Sequence, residues 1–226
     1  MQYLNANWFI QWIVDKGVPE STVILILMIP VVVTVIAFFR QIVGIKAFGI
    51  YTPAMITFAF LSIGLQPGNT ILNGAKYGIF IFAVIVIVGI LSRTLVKKFR
   101  LLYLPRMAIV ITLVSLATLA VLVLGGSLQR TGLASVSIFP IVIMITLVEK
   151  FVATQIEKGS RIAIILSLET LVISLVAYFL ITWPPLVQIV RDYPWVVVLT
   201  IFVNIFLGHW SGLRITEYFR FGKLIK

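Results

Sequence analysis

Apolar runs recur along the chain near 22–39, 50–65, 77–92, 107–125, 134–148, 162–182 and 195–212, and polar residues gather in the gaps. A helix rises about 1.5 Å per residue, so roughly 20 residues cross a hydrocarbon core of about 30 Å. The first, fourth, sixth and seventh runs meet that length within a few residues. The second, third and fifth are shorter and must extend into their flanks. The pattern predicts an all-α integral membrane protein of seven transmembrane helices. The second and fifth helices, which hold Pro53 and Pro140, are the least regular. Residues 3–14, YLNANWFIQWIV, are too few to span. Trp8 and Trp12 are four apart and share one helical face, which predicts a surface helix with its tryptophans at headgroup depth. The expected organisation is an interfacial segment at 1–20, a bundle at 21–212 and a basic tail at 213–226.

Composition sharpens this picture. The chain is 61% hydrophobic and 11% charged, whereas a soluble domain is about half apolar and about a quarter charged. Lipid accommodates the excess, because the outer face of every spanning helix is itself apolar. The net charge of +11 would suggest nucleic acid in a soluble protein. Here the basic residues lie between apolar runs instead. Taken loop by loop, 14 of the 18 Lys and Arg fall in alternate connections and the other 4 in the rest. Basic loops stay in the cytoplasm, so the expected topology has the N-terminus outside and the C-terminus inside. There is no cysteine, hence no disulfide or thiolate metal site. The N-terminus lacks the basic start and small-residue cleavage site of a signal peptide.

Two segments resemble each other: Gly49-Ile-Tyr-Thr-Pro-Ala-Met-Ile-Thr57 and Ser137-Ile-Phe-Pro-Ile-Val-Ile-Met-Ile-Thr146. Each places an aromatic near a proline and then a threonine, at the start of the middle helix of a triplet. The assigned topology runs them in opposite directions. This is the arrangement of a 3+3 inverted repeat plus a seventh helix, in which broken helices share a midplane site. Two ordinary proline kinks would leave the same trace. On the repeat reading, Pro53, Thr57, Pro140 and Thr146 belong to a substrate or ion pathway.

Glu169 lies inside the sixth run, in IAIILSLETLVIS. Charges at membrane depth are costly and usually face the bundle interior, so Glu169 is a candidate for the same pathway. The competing reading is a structural carboxyl near the inner headgroup boundary, since Arg161 is only about 12 Å away along the helix. Asn204 in the seventh run is a further pathway candidate. His209 with Trp210 fits a headgroup role. Arg106, Lys97, Lys98 and Arg100 on the cytoplasmic side are candidates for docking or for binding an anion or a lipid phosphate, although topology alone would also place basic residues there. Glu149, with Lys150 at the end of the fifth run, joins them, while Glu157 and Lys158 read as a solvated turn. One histidine and no cysteine make a metal site improbable, no nucleophile triad can be assembled, and no phosphate-binding loop is present. No cofactor and no catalytic residue are expected.

The stretches GIKAFGIYTPAMITFAFL (44–61), LLYLPRMAIVITLVSL (101–116), SIFPIVIMITLVEKFVATQIEKG (137–159) and HWSGLRITEYFRF (209–221) resemble the seven-helix bacterial membrane domain usually fused to an inactive transglutaminase-like domain. Segments 49–60, 97–112 and 138–159 are more faintly similar to the small membrane subunit of poly-gamma-glutamate synthases. The resemblance implies a bacterial cytoplasmic membrane location. It also implies association with an ATP-dependent carboxylate–amine ligase of the ATP-grasp kind, which the membrane protein would anchor or whose product it would move outward. Only about 20 residues precede the first run, whereas the fused family carries a soluble domain there. Either this is the membrane half alone, or that domain is a separate chain outside the membrane. No catalytic residue carries over.

Three functions fit these features. The first is a membrane subunit of a system that makes or exports an amino-acid polymer. The second is a proton-coupled secondary transporter of a small anion or amino acid. The third is a seven-helix sensor. The resemblance favours the first. The partners expected are the lipid bilayer, the ligase, the transglutaminase-like domain and a second copy of the chain, and nucleic acid is not among them.

Overall fold

The computed structural model describes residues 8–66, 69–96, 99, 102–127 and 136–210, excepting the Arg93 side chain. Among these residues every regular element is a helix. In chain order they are α1 (Trp8–Asp15), α2 (Glu20–Phe38) continued by a π-helical turn (Phe39–Val43), α3 (Tyr51–Gly64), α4 (Ile71–Val96), α5 (Tyr103–Ser127), α6 (Ile138–Lys158), α7 (Ser160–Ile181), α8 (Pro184–Asp192) and α9 (Val196–His209). Five of them are long and apolar enough to span: α2 with its π turn, α4, α5, α6 and α7. The seventh run corresponds to α9; α8, which the apolar runs do not include, ends just before Pro194 and meets α9 at 108°. The remaining span is α3, with 14 residues.

The chain divides into two compact units, Met1–Lys46 with Val176–Lys226, and Ala47–Leu175. The cut falls within α7. In the first unit α2 packs against α1, α8 and α9. Glu20, the first residue of α2, pairs with Arg191 at 2.9 Å. At the other end Gln41 Nε2 reaches the Trp210 carbonyl at 3.4 Å. Starts meet and ends meet, so α2 and α9 run parallel. Phe9 of α1 lies 5.7 Å from Trp195, ring centre to ring centre, at the start of α9. Two parallel spans need an odd number of crossings between them; α4 to α7 supply four, and a crossing by the short, apolar α3 would make the fifth.

In the second unit α3, α4, α5 and α6 pack on one another. The α3–α4 approach is close, because a methyl group on Gly78 would overlap the Phe60 ring. α5 buries the stripe Met107, Val110, Val114 and Thr118 and exposes Leu116, Leu119, Val123 and Leu124. In lipid that outward face costs nothing, and close packing rather than water exclusion holds the helices together. The single residue Gly159, with φ +90°, turns α6 into α7, and Gln155 Nε2 braces the turn by donating to Ser160 Oγ at 2.9 Å.

The two prolines do not break their helices. Each is the third helical residue, Pro53 of α3 and Pro140 of α6. First-turn positions have no intrahelical use for an N–H, so they mark starts rather than kinks. α6 also continues to Lys158. Glu149 and Lys150 therefore sit in its middle and not at its end.

Candidate functional site

The start of α3 is the unusual feature of the second unit. The connection from α2 carries Gly44 and Gly49 in left-handed conformations, with φ +87° and +71°. Gly49 N–H closes a turn onto the Ala47 carbonyl at 2.8 Å. Phe48 N–H then donates to Thr170 Oγ1 at 3.1 Å. Thr170 is at the midpoint of the 22-residue α7, about 15 Å along the axis from its first residue. The Phe60–Gly78 contact gives a second ruler. If α3 and α4 run antiparallel through that point, Pro53 is level with Ile85, close to the midpoint of the 26-residue α4. Both rulers place irregular backbone and a helix start well inside the span. Such backbone is tolerated at membrane depth only where protein covers it or where it lines a water-filled cavity.

Three fully buried hydroxyls hold this start: Thr57, Thr170 and Ser174. Ser174 Oγ lies 3.0 Å from the Pro53 carbonyl and 2.8 Å from that of Thr170. Thr57 Oγ1 lies 2.8 Å from the Pro53 carbonyl and 3.2 Å from that of Ser174. The Ser174 and Thr57 hydroxyls each have one proton and two acceptors within reach, so these two bonds have alternative arrangements of equal composition. Thr170 Oγ1 donates to Leu166 O at 2.6 Å while receiving Phe48 N–H. No side-chain cap hydrogen bond closes the start of α3, which leaves the positive end of its dipole facing this region.

Glu169 precedes Thr170 and stands at the same depth, partly exposed. Phe48 thus meets α7 at the level of Glu169 and Thr170, and Pro53 and Thr57 meet it at Ser174, about 7.5 Å beyond Glu169 along the helix. Sequence reasoning missed Thr170 and Ser174, since a Ser or Thr within an apolar run gives no signal of its own. The other candidates lie elsewhere. Asn204 belongs to the first unit, where Nδ2 donates to Thr34 Oγ1 at 2.7 Å and Thr200 O at 2.8 Å, joining α9 to α2. Thr146 is exposed and bonds the Ile143 carbonyl of its own helix. Pro140 is buried in the first turn of α6. Arg106 lies half-buried in the first turn of α5. Glu149 is exposed. His209 Nδ1 contacts the Ile205 carbonyl at 2.9 Å at the exposed end of α9. Lys97, Lys98, Arg100 and the 213–226 tail fall outside the described residues. Among the described residues no group of acidic, histidine or cysteine side chains could hold a metal ion.

A family described as seven transmembrane helices usually fused to an inactive transglutaminase matches residues 17–225. No curated protein and no solved structure matches the chain.

Proposed function

Because the chain belongs to the family of seven transmembrane helices usually fused to an inactive transglutaminase, we propose that it is the non-catalytic membrane subunit of a system that makes or exports an amino-acid polymer or peptide-like product across the bacterial cytoplasmic membrane. A cytoplasmic ATP-grasp ligase would supply the product, and a transglutaminase-like domain on a separate chain would meet it outside. The observation that carries the reading is the start of α3 near mid-depth, ringed by Thr57, Thr170 and Ser174, with Glu169 about 7.5 Å from Ser174 along α7. Half-helices that begin inside the bilayer are how many transporters present a helix N-terminus to an anionic group. A product with a carboxylate on every residue supplies such groups in series. The charge bias of the loops supports a basic cytoplasmic face, on which an anionic product would gather before export.

The test uses proteoliposomes and a fluorescent oligo-γ-glutamate. The expected result is passage of the oligomer through the wild-type protein and its loss in Glu169→Gln, together with capture of an ATP-grasp ligase by cross-linking in native membranes. Absence of both passage and ligase removes the reading. A second reading draws on Glu169 alone, since an acidic residue inside a span is the usual element of a proton-coupled carrier. Glutamate uptake driven by a pH gradient, with the oligomer excluded, would select it.

A further inference from the structure

α6 exposes charged and polar groups in its middle, where a helix facing lipid is apolar. Its buried side is Met144, Leu147, Val148, Phe151 and Val152, with Gln155. Val148 and Phe151 pack closely beside Gly89 of α4. Its exposed side carries Thr146, Glu149 and Lys150 at mid-helix, flanked by the exposed apolar Val142 and Ile156. Glu149 and Glu169 stand ten residues on either side of the Gly159 turn, so Glu149 lies about 15 Å along α6 from that turn. A charged residue at the centre of a span costs about 2.5–3.5 kcal/mol on insertion scales, and such residues nearly always find protein or water. The outward polar stripe therefore has a neighbour other than acyl chains.

We propose that this stripe is the contact between two copies of the chain, related by a two-fold axis along the membrane normal. The argument is self-complementarity. A two-fold interface brings the same patch against itself, which requires a patch that carries both members of each interaction. Glu149 and Lys150 are adjacent and opposite in charge. In a pair of copies, Glu149 meets Lys150 of the partner subunit, and the reciprocal pair forms across the axis. Thr146, one turn from Glu149, has the small side chain that lets two helices approach closely. A ligase, a soluble partner, would have to reach these groups within the bilayer, which a second spanning helix does without cost. The inference is independent of what the protein moves.

The experiment measures association of the full chain in nanodiscs and liposomes by single-molecule photobleaching. It also uses a Thr146→Cys variant, whose introduced thiol is the chain's sole cysteine. The wild type is expected to be dimeric, and Thr146→Cys to form a disulfide-linked dimer under mild oxidation. Glu149→Lys and Lys150→Glu should each weaken association about tenfold or more, and the double exchange Glu149→Lys/Lys150→Glu should restore it. Thermal unfolding of each variant separates lost association from lost folding. A monomeric wild type, a double exchange that folds and does not associate, or ready labelling of Thr146→Cys by a water-soluble maleimide without cross-linking overturns the proposal. The last result would assign the stripe to an aqueous path.

Discussion

The Ser174 hydroxyl lies 3.0 Å from the carbonyl oxygen of Pro53, which ties the middle of α7 to the first turn of α3. Both Ser174 and Thr57 reach that carbonyl, so neither is indispensable alone. Ser174→Ala or Thr57→Ala should each lower stability by about 0.6 kcal/mol, in the range of hydrogen bonds between membrane helices. The double variant should lose clearly more than the sum, because Pro53 O then has no hydroxyl in reach. Thermal unfolding in detergent measures this, and strictly additive losses would show that the two hydroxyls do not share the acceptor.

Gly78 is where α3 and α4 come closest. A methyl group there overlaps the Phe60 ring, and Phe60 is fully buried. Gly78→Ala should therefore destabilise by about 1–3 kcal/mol through overpacking. Adding Phe60→Leu, which shortens the opposing side chain, should recover part of the loss. Unchanged unfolding in Gly78→Ala would mean that the helices stand further apart.

The pair Arg191–Glu20 joins α8 to the start of α2, yet its side chains are 44% and 32% exposed. Exposed ion pairs are worth about 0–1 kcal/mol. Arg191→Gln should thus shift stability by less than about 1 kcal/mol, and the difference from wild type should shrink in high salt. A large loss, or one indifferent to salt, would show that the pair is shielded from water.

Trp8 and Trp12 are exposed on α1, and the Phe9–Trp195 contact places α1 at the start of α9. α8 lies close to perpendicular to α9 at that end, which is the direction of the membrane plane. Single-tryptophan variants retaining Trp8, Trp12 or Trp195 should be quenched best by lipids brominated near the headgroup. Strong quenching by aqueous acrylamide with none from bromolipids would put α1 in water.

The absence of cysteine makes topology directly measurable. Lys16→Cys, Thr70→Cys and Asp192→Cys should label from outside intact cells with an impermeant maleimide. Lys46→Cys and Glu157→Cys should label only after permeabilisation. Thr70→Cys decides the status of α3, since labelling from the same side as Lys46→Cys would mean that α3 does not cross.

Hydropathy made the long spans legible because α2, α4, α5 and α7 are apolar nearly throughout. It failed where a helix is amphipathic. The fifth apolar run ends at residue 148, but α6 continues to Lys158 with Phe151, Val152 and Gln155 buried. Its polar outward side had diluted the signal. α8 went unseen for the same reason, since Pro184, Pro185 and Gln188 interrupt the run that precedes Pro194. Pro53 and Thr57 were legible through their spacing from Gly49. Their partners Thr170 and Ser174 were not, because a hydroxyl that bonds a carbonyl of its own helix is common in any span. The proposed likeness of the two halves extends to proline at the third position of α3 and of α6, and then stops. Thr57 is buried in a network that reaches α7, while Thr146 faces outward.

The depth at which α3 begins has an electrical consequence. A unit charge carried across the whole membrane exchanges about 2.3 kcal/mol with each 100 mV of potential. One carried from the cytoplasm only as far as Phe48 and Thr170 covers roughly half that drop, or about 1.1 kcal/mol per 100 mV. On the proposed function, occupancy of this level by the anionic product would depend on voltage as well as on concentration, and a cell negative inside would drive that product outward.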